Sequence, residues 1–208
     1  HKDVRLSMLN RFVQRGTVVF RRLQPHAGSS IEAVNRVVAL YRSSPRDSIV
    51  SRSFAAVKPI DAEAMAKVTR TWRIIEKDLD THGLKFFNKL FEIDPAVRDL
   101  FSFREESGDA ESAPMMKKHA SSVLRMIGDA ASGRQDLIRT KQKIKELGAR
   151  HATKYNVRKE HFPIMKQALL LTLEEELGGL WTDDVHYAWE QAYEQVAMVQ
   201  FQGMEEAQ

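Results

Sequence analysis

From Asp61 onward the apolar residues of this 208-residue chain recur at spacings of three and four, segment after segment. Met65, Val68, Trp72, Ile75 and Leu79 form the first stripe, with Asp61 placed as its N-cap. Leu84, Phe87, Leu90 and Phe91 form the second, stopped by Asp94-Pro95. After a Gly- and acid-rich stretch from Arg104 to Ala113 comes a third, Met116, His119, Val123 and Met126/Ile127. Beyond Gly133 lies a fourth, Ile144, Leu147 and His151. A long apolar segment runs from Phe162 to Leu177 and ends at Gly178-Gly179, a typical helix stop. Thr182 and the acidic pair Asp183-Asp184 open a last helix with Trp189, Tyr193, Val196 and Val199 on one face. No segment sustains a period of two, so the expected fold class is all-α.

Residues 1–60 differ. They hold eleven Lys/Arg against three Asp/Glu, so the formal net charge of +4 is a basic arm attached to a mildly acidic body. Within the arm Ser29-Ser30-Ile31-Glu32 has the form of a capping box. Earlier, Met8, Phe12, Val19 and Leu23 alternate with Arg5, Arg11, Arg15, Arg21 and Arg22 in a basic amphipathic pattern, weakened by Gly16. The expected organisation is an extension over 1–60, at best partly helical, and a domain over 61–208. The extension has three readings: an organelle transit segment, a contact with acidic lipid or a partner, and a passive cover on the domain. The default is the passive one. The expected compartment is the cytoplasm, with organelle targeting by the extension as the alternative, and no nucleic-acid partner is expected. No window approaches the roughly 18 apolar residues of a membrane span. Absence of cysteine removes disulfides, thiolate metal sites, iron–sulfur clusters and thiol catalysis together. Any metal must be held by histidine or carboxylate, or arrive inside a cofactor.

His119 and His151 each sit inside an apolar stripe. A single histidine on an apolar face is more often a packed core residue than a ligand. Two of them, on successive helices joined by a short connector, offer one imidazole to each side of a haem iron. The other histidines, His1, His26, His82, His161 and His186, lack such company and default to surface or packing roles. Trp72, Trp189 and Tyr193 read as core aromatics, and Glu174-Glu175-Glu176 as a solvated helix end.

The run His151-Ala152-Thr153-Lys154-Tyr155-Asn156-Val157 resembles the proximal-histidine segment of myoglobins. Trp72, His82-Gly83, Phe87, Phe91, Asp94-Pro95 and Leu100-Phe101 resemble the first helices of globins, nearest to the neuroglobin-like group. Pro114 to His119, continuing to Val123, is similar to their distal helix. The likeness covers 61–208. It implies helices packed around haem b, with His151 as proximal iron ligand and His119 as distal residue, itself able to coordinate the iron. The ring nitrogen of His151 away from the iron would donate to a backbone carbonyl. Phe101 would stack on the haem and Leu147 would touch it. Phe87 and Val123 would form the distal wall, and Val157, Phe162 and Met165 the deep pocket. Lys118, Arg150, Lys154 and Tyr155 are the candidates for the haem propionates.

Three positions depart from the pattern. Pro163 falls early in a long helix, which must start late or kink there. Phe103 replaces a polar residue at the haem edge, and Ser122 stands where a lysine can occur. The function implied is reversible binding of O2 and other diatomic gases such as NO and CO. Two alternatives are a haem redox enzyme, oxidising NO or reducing nitrite with electrons from a separate reductase, and a gas or redox sensor signalling through residues 1–60.

Overall fold

The computed structural model describes residues 60–101, 114–133 and 137–208. The patterns read in residues 1–59, the stretch 104–113 and Phe103 lie outside the described residues. Six helices account for most of the described chain: α1 Ala62–Ile75, α2 Leu79–Ile93, α3 Pro114–Ala131, α4 Leu137–Thr153, α5 His161–Leu177 and α6 Asp183–Glu206. Short 3-10 turns at Glu76–Asp78, Pro95–Leu100 and Gly178–Leu180 join or extend them. No strand occurs among the described residues. The protein is all-α.

The helix ends follow local chemistry. Asp61 accepts from the Ala64 N–H at 2.8 Å, and Asp78 from the Thr81 N–H at 3.1 Å, so each carboxylate satisfies an otherwise unpaired first-turn donor. The Thr182 hydroxyl accepts from the Val185 N–H at 3.3 Å, and Asp183 and Asp184 add negative charge where the helix dipole is positive. Gly178, with φ of 49°, ends α5, as the sequence predicts. Pro163 is the third residue of α5. It lies in the first turn, where an N–H has no helical partner to lose, so the helix simply starts at His161.

Helix α5 buries residues around its whole circumference, from Phe162 and Ile164 through Leu169, Leu170 and Leu173 to Leu177. A helix buried on several sides meets several neighbours, and α5 packs on α1, α2 and α6. Trp72 and Trp189 are fully buried and meet edge to face at 6.4 Å. Each indole N–H is satisfied, Trp72 by Asp129 at 3.2 Å and Trp189 by the Thr71 hydroxyl at 2.9 Å. Tyr193 is buried as well, and burial holds its phenol neutral. Its hydroxyl donates to the Phe162 carbonyl at 3.0 Å and ties α6 to the start of α5. Tyr193→Phe is therefore expected to cost about 1 kcal/mol, the usual net value of such a bond. Urea unfolding of the two proteins side by side measures it.

Two features of the fold differ from the sequence reading. The Glu174–Glu176 run is no free helix end. Glu176 lies 2.6 Å from Lys85 Nζ and 2.7 Å from His82 Nδ1, and Glu175 lies 2.6 Å from Lys89 Nζ, which joins α5 to α2. These charges sit on the partly exposed side of a helix pair, where opposite signs meet without full desolvation. The second difference is rotational. On α6 the stripe Trp189, Tyr193, Val196 continues to Gln200, which is buried, while Val199 is only half-buried.

Candidate haem site

Helix α3 carries His119 and is held by α2; helix α4 carries His151 and rests on α6. The α2–α3 approach is close. A Cβ at Gly83 would stand 2.9 Å from the backbone carbon of Ala120, the residue after His119. Any side chain at 83 would push that turn away, so this glycine sets the depth at which His119 sits.

Two aromatic rings meet His119 in the structure. Its imidazole lies edge-on to Phe87 at 5.6 Å and to Phe101 at 5.4 Å, and those two phenylalanines are 5.6 Å apart. Phe91 closes the group at 5.8 Å from both Phe87 and Phe101. The C-terminal end of α2 and the Pro95–Leu100 turn thus bring Phe87 and Phe101 onto one histidine. Burial lowers the pKa of His119 by penalising its charged form.

His151 is seated differently. After α4 the chain reverses, with Lys154 and Tyr155 N–H both donating to the Arg150 carbonyl and Val157 N–H to the His151 carbonyl at 3.0 Å. Asn156 adopts φ of 51°, a left-handed conformation that asparagine tolerates better than most residues. The reversal leads into α5, whose first residue His161 accepts from the Arg158 N–H through Nδ1 at 3.0 Å. His161 is thus a fixed joint of the connector, a role the sequence did not reveal. Around His151 stand Tyr155 at 6.2 Å and Phe162 at 6.5 Å, and Phe162 is backed by Phe201 at 4.7 Å.

Burial is the main force on His151 and lowers its pKa to about 4. The nearby Gln200 side chain opposes this by favouring the protonated ring, while the charges of His119 and Arg150 add to it. The two imidazoles are thus near enough for a charge on one to disfavour a charge on the other. Both are neutral at pH 7, and a neutral imidazole is the form that ligates a metal.

Linkage gives the pH dependence. The unfolded chain protonates His151 near its ordinary 6.5, whereas the folded protein resists until about 4. Stability therefore falls as pH drops through that window. The haem-free protein is expected to be about 2 kcal/mol less stable at pH 5 than at pH 7 through His151 alone. Denaturant titrations at the two pH values measure this, and His151→Phe should remove most of the difference.

The other predicted residues divide. Val123, Leu147, Val157 and Met165 are half-buried and Phe162 is buried. Lys118, Arg150, Lys154 and Tyr155 are exposed. Ser122 is exposed and its hydroxyl turns back to the Lys118 carbonyl at 2.7 Å. The expected carbonyl partner of His151 is not there. Nδ1 is enclosed and makes no hydrogen bond. Nε2 is not enclosed in this way, and that nitrogen is the one available to a ligand.

These features suit a haem. Among the described residues no group of three or more His, Asp or Glu side chains converges. Two neutral imidazoles are too few to hold a bare metal ion, but they could ligate an iron that a porphyrin carries. Phe87, Phe101 and Phe162 provide the flat apolar contacts a macrocycle needs.

The globin family model matches residues 84–199, a span that contains both histidines, and the chain belongs to the globin family. It is a haem-binding globin. An anaerobic nitrite reductase of Gossypium hirsutum is 37% identical over 145 residues, covering 67% of this chain and 87% of the relative. One of Oryza sativa subsp. indica is 38% identical over 133 residues, covering 62% and 86%. A third, of Arabidopsis thaliana, is 34% identical over 137 residues, covering 64% and 86%.

Proposed function

We propose that this globin holds haem b between His151, the proximal ligand, and His119, which occupies the sixth position at rest and yields it to O2, NO, CO or nitrite. The observation that carries this reading is the pair of half-buried imidazoles on α3 and α4, each packed against phenylalanine and each with its charged form disfavoured by burial. When bound, the haem supplies a coordination position for a diatomic ligand and, in the ferrous state, one electron for nitrite (NO2⁻ + 2 H⁺ + e⁻ → NO + H2O).

The chain's own residues do the rest. His151 offers the Nε2 lone pair, because burial keeps the ring unprotonated well below neutral pH. His119 has one ring N–H and one lone pair for the same reason. Its lone pair can hold the sixth position, and its N–H can stabilise a ligand that gains negative charge. Phe87 and Phe101 pack on His119 and exclude water from that side. Lys118, Arg150, Lys154 and Tyr155, all exposed, would meet the propionates. Turnover requires a reductant that returns the iron to the ferrous state.

The names of the relatives favour nitrite reduction over gas storage as the reaction supported. Stopped-flow mixing of the dithionite-free ferrous protein with nitrite under argon tests this. NO release in proportion to nitrite, faster as pH falls because two protons are consumed, supports it. A ferrous protein inert to nitrite but forming a long-lived O2 complex would leave reversible O2 binding as the function.

A further inference from the structure

Gln200 lies in the middle of the buried face of α6, between Val196 and Met204, where every neighbour on the stripe is apolar. It is 5% exposed. Its Oε1 is enclosed and makes no hydrogen bond, and the same holds for Nδ1 of His151. An enclosed acceptor without a donor costs about 1–3 kcal/mol, as does an enclosed donor without an acceptor. Gln200 is also the nearby polar side chain whose influence on His151 favours a proton on the ring.

The helix crossing explains why these two residues meet. A Cβ at Gly148 would stand 2.1 Å from the Gln200 carbonyl oxygen, and a Cβ at Gly203 would stand 1.9 Å from the Lys145 carbonyl oxygen. The backbones of α4 and α6 therefore touch at two points, each made possible by a glycine. Gly148 lies about one turn before His151, and Gly203 about one turn after Gln200. The contact fixes register as well as distance, and that register brings Gln200 against the turn of α4 that leads into His151.

We propose that Gln200 is the positioning residue for His151: its Oε1 accepts from Nδ1–H once the other ring nitrogen is committed to iron, in place of a backbone carbonyl. The inference rests on the reading of His151 as proximal ligand. Ligation through Nε2 requires the remaining ring proton to be on Nδ1, which turns that atom into a permanent donor. A small rotation of the amide then satisfies both enclosed atoms. The bond fixes the plane of the imidazole and makes it a stronger electron donor to the metal.

The test uses the haem-loaded protein carrying His119→Leu, so that a single histidine remains to ligate. Resonance Raman of the ferrous form reads the iron–histidine stretch, and spectroelectrochemistry reads the reduction potential. Gln200→Met keeps length and volume but removes the acceptor. It is expected to lower the stretch, raise the potential and speed haem loss by about 10-fold. Gln200→Glu keeps the acceptor and strengthens it, and should move stretch and potential in the opposite directions. Movement of opposite sign in the two variants supports the proposal and distinguishes it from a packing effect. If neither variant moves the stretch while His151→Gly abolishes it, His151 stands as the ligand and Gln200 has no positioning role. A stretch that survives in His151→Gly overturns the ligand assignment, and the role of Gln200 falls with it.

Discussion

His151→Ala is expected to yield a protein that folds but does not keep haem. The imidazole is the proposed proximal bond to iron, and nothing near it can take its place. Tyr155, its closest aromatic neighbour on the chain reversal, is exposed, and Phe162 has no donor atom. Folding itself should survive. Alanine suits a helix better than histidine, and the change removes an enclosed nitrogen with no partner. Haem transfer to an acceptor globin measures the loss directly. It should be faster by more than about 100-fold, beyond what removing a hydrogen bond behind a ligand achieves. Circular dichroism of the same sample shows whether the helices remain.

His119→Leu should have the second largest effect, and it acts on ligands instead of on haem retention. Leucine keeps the apolar contacts with Phe87 and Phe101 but removes both the lone pair and the N–H. Loss of the lone pair vacates the sixth position, so CO should associate faster and without competition. Loss of the N–H removes a bond to a partly charged ligand, worth about 1.5–3 kcal/mol. O2 release is then expected to be about 10- to 100-fold faster. Flash photolysis under CO and stopped-flow displacement of O2 separate the two effects. An unchanged CO rate would mean that His119 does not occupy the sixth position.

Much of this was legible in the sequence because helices announce themselves. The helices themselves, the caps at Asp61 and Thr182, and the stop at Gly178 are local signals, and the structure keeps them. Phe87, Phe101 and His119, each singled out in the sequence, lie against one another in the structure. What the sequence hid depends on how one helix is turned against another. Phe86, outside the chosen stripe, is fully buried, and Gln200 takes the place given to Val199. One signal for Gln200 did exist: it continues the four-three-four spacing of Trp189, Tyr193 and Val196. A lone polar residue on such a stripe is easily taken for the start of the solvent face. The closeness of α4 and α6 had no comparable mark, because Gly148 and Gly203 read as ordinary glycines until the two backbones are seen in contact. The Lys85, Lys89 and His82 partners of Glu175 and Glu176 are ninety or so positions away and could not be paired by pattern.

The most direct test of the central claim, haem held between two histidines, is the visible spectrum of the haem-loaded protein, first ferric and then reduced without oxygen. Sharp, split bands in the reduced form, collapsing to one broad band in His119→Leu, are the predicted result. A single broad band in the unmodified protein would contradict the bis-histidyl resting state. No haem band at all after haem supplementation would contradict the account as a whole.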